Sequence, residues 1–181
     1  MNGSGATRGS ALPIEALRED AQSLASEQFA AKYGTGFLLV TAAGVDEKMG
    51  TSTTKLWLEG VDDDPAAHTA EVAVVVYLLR PRSESKTDLI AIGRDARNDV
   101  VIPDVSVSRF HAMAKRNDGG AFLMLDAGST NGTTVNGASV PPRGAGQPTR
   151  LKPGDTVKIG QVEFTFTDAS ALQAFVRKAA G

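Results

Sequence analysis

The sequence predicts a mainly β protein, a β-sandwich with an N-terminal helical extension and a short C-terminal helix. Three observations carry this. From residue 72 onward short apolar runs recur between turn residues, the spacing of a sandwich or barrel. Val162, Phe164 and Phe166 alternate with Glu163, Thr165 and Thr167, a period of two with one wet face. At either end, by contrast, apolar residues recur at helical spacing.

Residues 1–10 are polar and Gly-rich and read as disordered. Residues 11–33 read as one helix. Pro13 falls in its first turn, Ile14, Leu17, Ala21, Leu24 and Gln28 with Phe29 form a stripe that packs on its own chain, and Gly34 stops it. Strands are expected at 37–40, at 55–58 with Trp57, and at 72–79. Residues 11–71 thus form an extension that packs on the sandwich, because one helix and two short strands make a marginal core alone. Within 72–168 further strands are predicted at 88–92, 99–102, 110–115, 121–126, 133–135, 156–159 and 162–167. Their turns are Asp118-Gly119-Gly120, Asn136-Gly137, Pro153-Gly154 and Gly160-Gln161. Asn-Gly is the strongest of these signals, because both residues of a tight hairpin turn need positive φ. The stretch 139–150, with three prolines, reads as a connection and not a strand. Residues 169–181 close as a helix capped by Asp168, with Arg177 and Lys178 at its favourable end.

Composition excludes several function classes. With 41% hydrophobic and 22% charged residues the 181-residue chain is ordinary for a soluble globular protein. No apolar run approaches a membrane span, and the first residues lack the basic-then-apolar pattern of a secretory signal, so a cytoplasmic location is expected. The absence of cysteine removes disulfides, thiolate metal sites and thiol catalysis. Residues 1–71 hold five basic and eleven acidic side chains, whereas 72–168 hold twelve and ten. That balance suits a compact anion at the back half; it suits neither duplex nucleic acid nor a membrane surface.

Between Gly93 and Gly137 the chain gathers two arginines (Arg94, Arg109), two hydroxyls (Ser108, Thr130) and two asparagines (Asn131, Asn136) on segments that read as turns. Guanidinium forks and hydroxyl donors are what a phosphate needs. The alternatives are weaker. Ser108, His111 and Asp126 invite a catalytic triad, but His111 leads into a strand and reads as structural. Asp62-Asp63-Asp64 lacks the spaced ligands of a calcium loop and is followed at once by Pro65. Gly144-x-Gly146 lacks the lysine and strand–helix setting of a nucleotide loop. No metal, cofactor or enzymatic activity is expected.

In order and spacing, Gly93-Arg94, the Asn98 region, Ser108-Arg109-x-His111, Ser129-Thr130-Asn131-Gly132-Thr133 and Asn136-Gly137 resemble a forkhead-associated (FHA) domain. The resemblance covers roughly 72–168 and says nothing of 1–71. It implies a non-catalytic module that binds phosphothreonine in an extended peptide, used in Ser/Thr kinase signalling; its partner would be a phosphorylated kinase or kinase substrate. By position Arg94 and Ser108 would meet the phosphate, Arg109 would sit beside it at the phosphate or the peptide backbone, Thr130 would line the same pocket, and Asn131 would hold the peptide backbone. Gly93, His111, Gly132, Asn136 and Gly137 would support the site. The competing expectation is a phosphate-independent interaction scaffold on the same fold. Thr51, Thr53 and Thr54 lie in a polar stretch a kinase could reach, so self-association through one of them, once phosphorylated, is a further expectation.

Overall fold

The computed structural model describes residues 11–41, 54–55, 71–72, 74–82 and 88–179. Its strands are β1 (Ala11–Pro13), β2 (Gly36–Thr41), β3 (Thr54–Lys55), β4 (Glu71–Val72), β5 (Val74–Leu78), β6 (Leu89–Gly93) and β7 (Val100–Val101). They continue as β8 (Ala112–Arg116), β9 (Phe122–Asp126), β10 (Thr133–Val135), β11 (Ala138–Ser139), β12 (Thr149–Arg150), β13 (Thr156–Ile159) and β14 (Val162–Asp168). Three helices join them: α1 (Arg18–Ser23), α2 (Ser26–Tyr33) and α3 (Ala169–Ala179). Seven strands form one sheet in the order β1-β5-β2-β14-β13-β10-β11, and five form the other in the order β12-β9-β8-β6-β7. β3 and β4 pair separately.

The sheets face each other across an apolar core. Ile90, Ile92, Ala112, Ala114, Phe122 and Met124 pack with Leu38, Val75, Tyr77, Phe164 and Phe166. Tyr77 meets Phe164 edge-on at 5.6 Å between ring centroids, a favoured aromatic geometry. Burial pushes the Tyr77 phenol up to about 12. A second core lies on the outer face of the larger sheet, where Phe37, Val74, Val76 and Leu78 meet Ile14, Leu17, Ala21, Phe29, Leu172 and Val176 from the helical segments. β5 is therefore buried on both faces, which is why Val-Val-Val-Tyr-Leu shows no polar alternation.

The helix expected over 11–33 is broken twice. Residues 11–13 are extended and pair with β5 at the sheet edge, where a proline costs no ladder bond. A 3-10 turn, Ile14–Leu17, leads into α1, which ends at Leu24 with φ −87° and ψ 145°. The break is satisfied from α3: Gln173 donates to the carbonyls of Ala21 (3.2 Å) and Leu24 (2.8 Å), and Arg177 donates to the same two. These donors stand in for the helical N–H groups that an uninterrupted helix would supply. Gln28 then accepts the Ala25 N–H at 3.1 Å as α2 begins.

Two other expectations are corrected. The 139–150 connection carries strand pairing at both ends, β11 on β10 and β12 on β9. Phe110 and His111 precede β8 instead of opening it. The expected Asp168 cap is present, its carboxylate accepting the Ala171 N–H at 2.8 Å. Trp57, Asp62–Asp64, Thr51 and Thr53 lie outside the described residues.

Gly36 begins β2 directly against the Phe122 ring of the other sheet. A Cβ built there would lie 2.4 Å from the Phe122 ring, and Phe122 is buried between the sheets. Gly36→Ala should therefore lower stability by about 1–3 kcal/mol through overpacking. Urea unfolding should show a lower midpoint with an unchanged slope, and an unshifted midpoint would contradict the packing described.

Candidate ligand site at one end of the sandwich

Three loops meet at the end of the sandwich reached by β6, β9 and β10. The first, after Gly93, is laced to the segment before β8: Arg94 N–H donates to the Ser108 carbonyl (2.9 Å) and Asp95 N–H to the Arg109 carbonyl (3.1 Å). This approach is possible only at glycine, because a Cβ on Gly93 would sit 2.5 Å from the Arg109 carbonyl oxygen. Asn98 is buried, and its side-chain amide donates to the carbonyls of Asp95 (2.8 Å) and Arg109 (2.6 Å). Arg97 grips Asp95 with two nitrogens, and these bonds hold the Asp95 carboxyl well below its usual range. The acid next to Arg94 in the chain is thus already engaged.

The second loop runs from Ile102 to His111. Asp104 accepts both the backbone N–H (2.8 Å) and the hydroxyl (2.5 Å) of Ser106, a turn of the kind aspartate favours. Ser108 donates its backbone N–H to His111 Nδ1 at 2.9 Å. His111 is fully buried, and its Nε2 lies 3.0 Å from the Gly132 carbonyl. A backbone N–H can only donate and a carbonyl can only accept, so the ring is the tautomer with its proton on Nε2. Both nitrogens are committed, and the serine hydroxyl lies on other partners. Asp126 bonds elsewhere as well, so no Ser–His–Asp relay forms.

The third loop, Ala127 to Gly132, is built on Asp126. Its carboxylate accepts the N–H groups of Gly128 and Ser129 (2.8 Å each) and the hydroxyls of Ser129 and Thr133 (2.7 Å each). Burial raises the Asp126 pKa, but the donors from Ser129, Thr133 and Gly128 outweigh it and hold the group below its ordinary value. Gly132, at φ +75°, turns the loop back into β10.

These loops bring Arg94, Ser108, Thr130 and Asn131 together. Thr130 N–H donates to the Ser108 hydroxyl oxygen at 3.1 Å, and the two hydroxyls are 3.4 Å apart. Arg94 rests its Nε on the Val107 carbonyl at 3.1 Å, and the residue is exposed. Arg109 follows Ser108 in the chain and is exposed. Among the described residues neither guanidinium is paired with a carboxylate. Asn131 donates one side-chain N–H to the Ser106 carbonyl at 2.7 Å, leaving its second N–H and its amide oxygen without a hydrogen bond among the described residues. Asn136 and Gly137 stand apart from this cluster. Both have positive φ (51° and 81°), forming the β10–β11 turn, and Asn136 bonds Asp155 and Thr156.

The sequence did not point to Ser106, Ser129 or Gly160 as parts of this scaffold. Asp104-x-Ser106 and Asp126-x-x-Ser129 carry the local signature of side-chain-capped turns. Gly160 carried no such signal, because its contact is with Ser106, more than fifty residues away in sequence. Among the described residues no three metal-binding side chains cluster, and no helix is long and apolar enough to cross a membrane.

Residues 90–160 match the family model described as FHA domain. The oxoglutarate dehydrogenase inhibitor of Corynebacterium jeikeium is 38% identical over 102 residues, covering 54% of this chain and 66% of that protein. The glycogen accumulation regulator GarA of Mycolicibacterium smegmatis is 40% identical over 74 residues, 41% of this chain and 42% of its own. The ABC transporter ATP-binding/permease protein Rv1747 of Mycobacterium tuberculosis is 38% identical over 99 residues, which is 53% of this chain but 11% of the transporter. The chain thus spans from about a tenth to about two thirds of the curated relatives it matches. A solved structure from a study of phosphothreonine-dependent FHA domain interactions aligns at 27% identity and a TM-score of 0.43, covering 74% of this chain and 96% of that one.

Asp126 makes stability acid-sensitive with a definite sign. Its folded pKa lies below the unfolded value of about 3.9, so its contribution is complete above that value and is lost as pH falls through the folded one. Asp126→Asn, which replaces two acceptor positions by donors, should cost about 1–3 kcal/mol at pH 7. It should also flatten the fall in stability below about pH 4. Chemical unfolding across pH 2–7 checks both, and parallel profiles for the two proteins would contradict the role assigned to Asp126.

Proposed function

The chain carries an FHA domain, and from that premise we propose that it is a non-catalytic module that binds phosphothreonine-containing segments of proteins in Ser/Thr kinase signalling. One observation carries the reading: two bonded loops bring the hydroxyls of Ser108 and Thr130 together, and Arg94, held on the carbonyl of Val107 next to Ser108 in the chain, makes no ion pair with a carboxylate among the described residues. A phosphothreonine brings a charge of about −1.5 to −2 and three acceptor oxygens to such a site. Arg94, Ser108, Arg109 and Thr130 are its donors in this proposal. The free amide oxygen of Asn131 accepts an N–H from the peptide backbone, which sets register without reading side chains. Gly93, His111 and Gly132 support the loops, whereas Asn136 and Gly137 shape the separate β10–β11 turn. Charge-assisted hydrogen bonds contribute about 1.5–3 kcal/mol each, and after ordering costs a few of them give roughly micromolar affinity.

Relatives named as an inhibitor and a regulator support a regulatory and not a catalytic role. The partner is a protein, a kinase or its substrate, and neither nucleic acid nor membrane. The site needs a phosphoryl donor such as ATP to create its ligand, which fits the cytoplasm. Topology favours one finer reading. Thr41 pairs with Val74, and β2 runs antiparallel to β14, so both flanks of the 42–73 segment sit at the site end of the sandwich. Thr51, ten residues beyond Thr41, is within about 35 Å of it even by an extended chain. A phosphate on Thr51, Thr53 or Thr54 would serve as a ligand in cis or on a second copy.

Calorimetric titration with a phosphothreonine peptide and its unphosphorylated twin tests the main reading. Only the phosphorylated peptide should bind, Arg94→Ala should weaken it by about tenfold to a hundredfold, and affinity should fall below about pH 6 as the phosphate gains a proton. Equal binding of both peptides would favour a phosphate-independent scaffold instead.

A further inference from the structure

The turn between β13 and β14 lies outside the three site loops, yet it bonds two of them. Gln161 N–H donates to the Ser106 hydroxyl oxygen at 2.8 Å, and that hydroxyl donates in turn to Asp104. Gly160 N–H donates to the Gly132 carbonyl at 3.2 Å, the same oxygen that faces His111 Nε2. Gly160 has φ +64°, and a Cβ there would lie 2.6 Å from the Ser106 carbonyl oxygen. That oxygen is the acceptor for the Asn131 side-chain amide.

We propose that the Gly160–Gln161 turn and Ser106 together form a positioning device for Asn131, and that they tune peptide affinity without touching the ligand. The proposal rests on the phosphopeptide reading above and deepens it. Ser106 is held from two sides, by Asp104 within its own loop and by Gln161 from the larger sheet, so its carbonyl has a fixed direction. An exposed asparagine would otherwise sample several rotamers and flips. Anchored through one N–H on Ser106, Asn131 holds its amide in one orientation, with the oxygen able to accept an N–H from a peptide backbone. Preorganisation of this kind raises affinity by removing an ordering cost and not by adding a contact. Ser106→Ala deletes the hydroxyl that receives Gln161 but keeps the carbonyl, so it loosens the anchor without abolishing it.

A double-mutant cycle on the full chain tests this, with a phosphothreonine peptide titrated into wild type, Ser106→Ala, Asn131→Ala and the double variant, and with Ser106→Thr as the hydroxyl-retaining control. Ser106→Ala should bind about three- to tenfold more weakly, the expected effect of freeing one side chain, and Ser106→Thr should bind within about twofold of wild type. The double variant should bind no more weakly than Asn131→Ala, because Ser106 acts through Asn131. Losses that multiply in the double variant, or an unchanged Ser106→Ala, would overturn the proposal. Nitrogen-15 NMR of the unliganded protein supplies a second readout: the Asn131 side-chain amide resonances should move in Ser106→Ala and in Gly160→Ala. If they stay in place the positioning device is refuted whether or not peptide binds. Failure of wild type to bind any phosphothreonine peptide would instead strike the functional reading itself.

Discussion

The imidazole of His111 joins the two loops between which the ligand site is built. Its Nδ1 takes the Ser108 N–H and its Nε2 proton goes to the Gly132 carbonyl, and the ring has no exposure to solvent. A buried ring with both nitrogens satisfied cannot rotate without leaving a donor and an acceptor unpaired, at a cost of about 1–3 kcal/mol for each group. The separation of the Ser108 and Gly132 backbones is fixed in this way. The Thr130 N–H to Ser108 hydroxyl bond and the Asn131 amide to Ser106 carbonyl bond then close the same gap from the surface. Everything outward of the ring inherits its geometry.

Around this link the molecule separates rigidity from recognition. Behind the loops, Asp126 gathers four donors and Asn98 spans two carbonyls, so the backbone polar groups are satisfied before any ligand arrives. In front, Arg94 and Arg109 make no ion pair with a carboxylate among the described residues. Donors on loops that are already fixed are suited to an anion, because little has to rearrange when it binds. The larger sheet contributes from a distance. β14 runs from the turn that touches Ser106 and Gly132 to the start of α3, and α3 carries the Gln173 and Arg177 donors that hold the break between α1 and α2. One strand thus spans the molecule from the site to the helical cover.

Much of the fold was legible because its signals are local. The Asn136-Gly137 hairpin follows from the φ values that turn demands, and β10 and β13 begin and end where alternation and turn residues place them. The helical reading of 11–33 failed where local signals were overruled. Ala11–Pro13 pair with β5, and the break at Leu24 is satisfied by side chains some 150 residues later. No periodicity in a short window contains that information. The same division holds at the site. Arg94, Ser108, Thr130 and Asn131 stood out as residue types on turns, and loops laced by backbone bonds bring them to one end. Ser106 did not stand out and Gly160 did so only as a turn residue, because their role at the site lies in a close approach between distant segments and not in their chemistry.

The most direct measurement is a crystal structure of the protein bound to a phosphothreonine peptide. The phosphate should lie within hydrogen-bond distance of the Arg94 guanidinium, the Ser108 hydroxyl and Thr130, with a peptide N–H on the Asn131 amide oxygen and the His111 bonds intact. A phosphate seated elsewhere, or a peptide held without contact to these loops, would contradict the account.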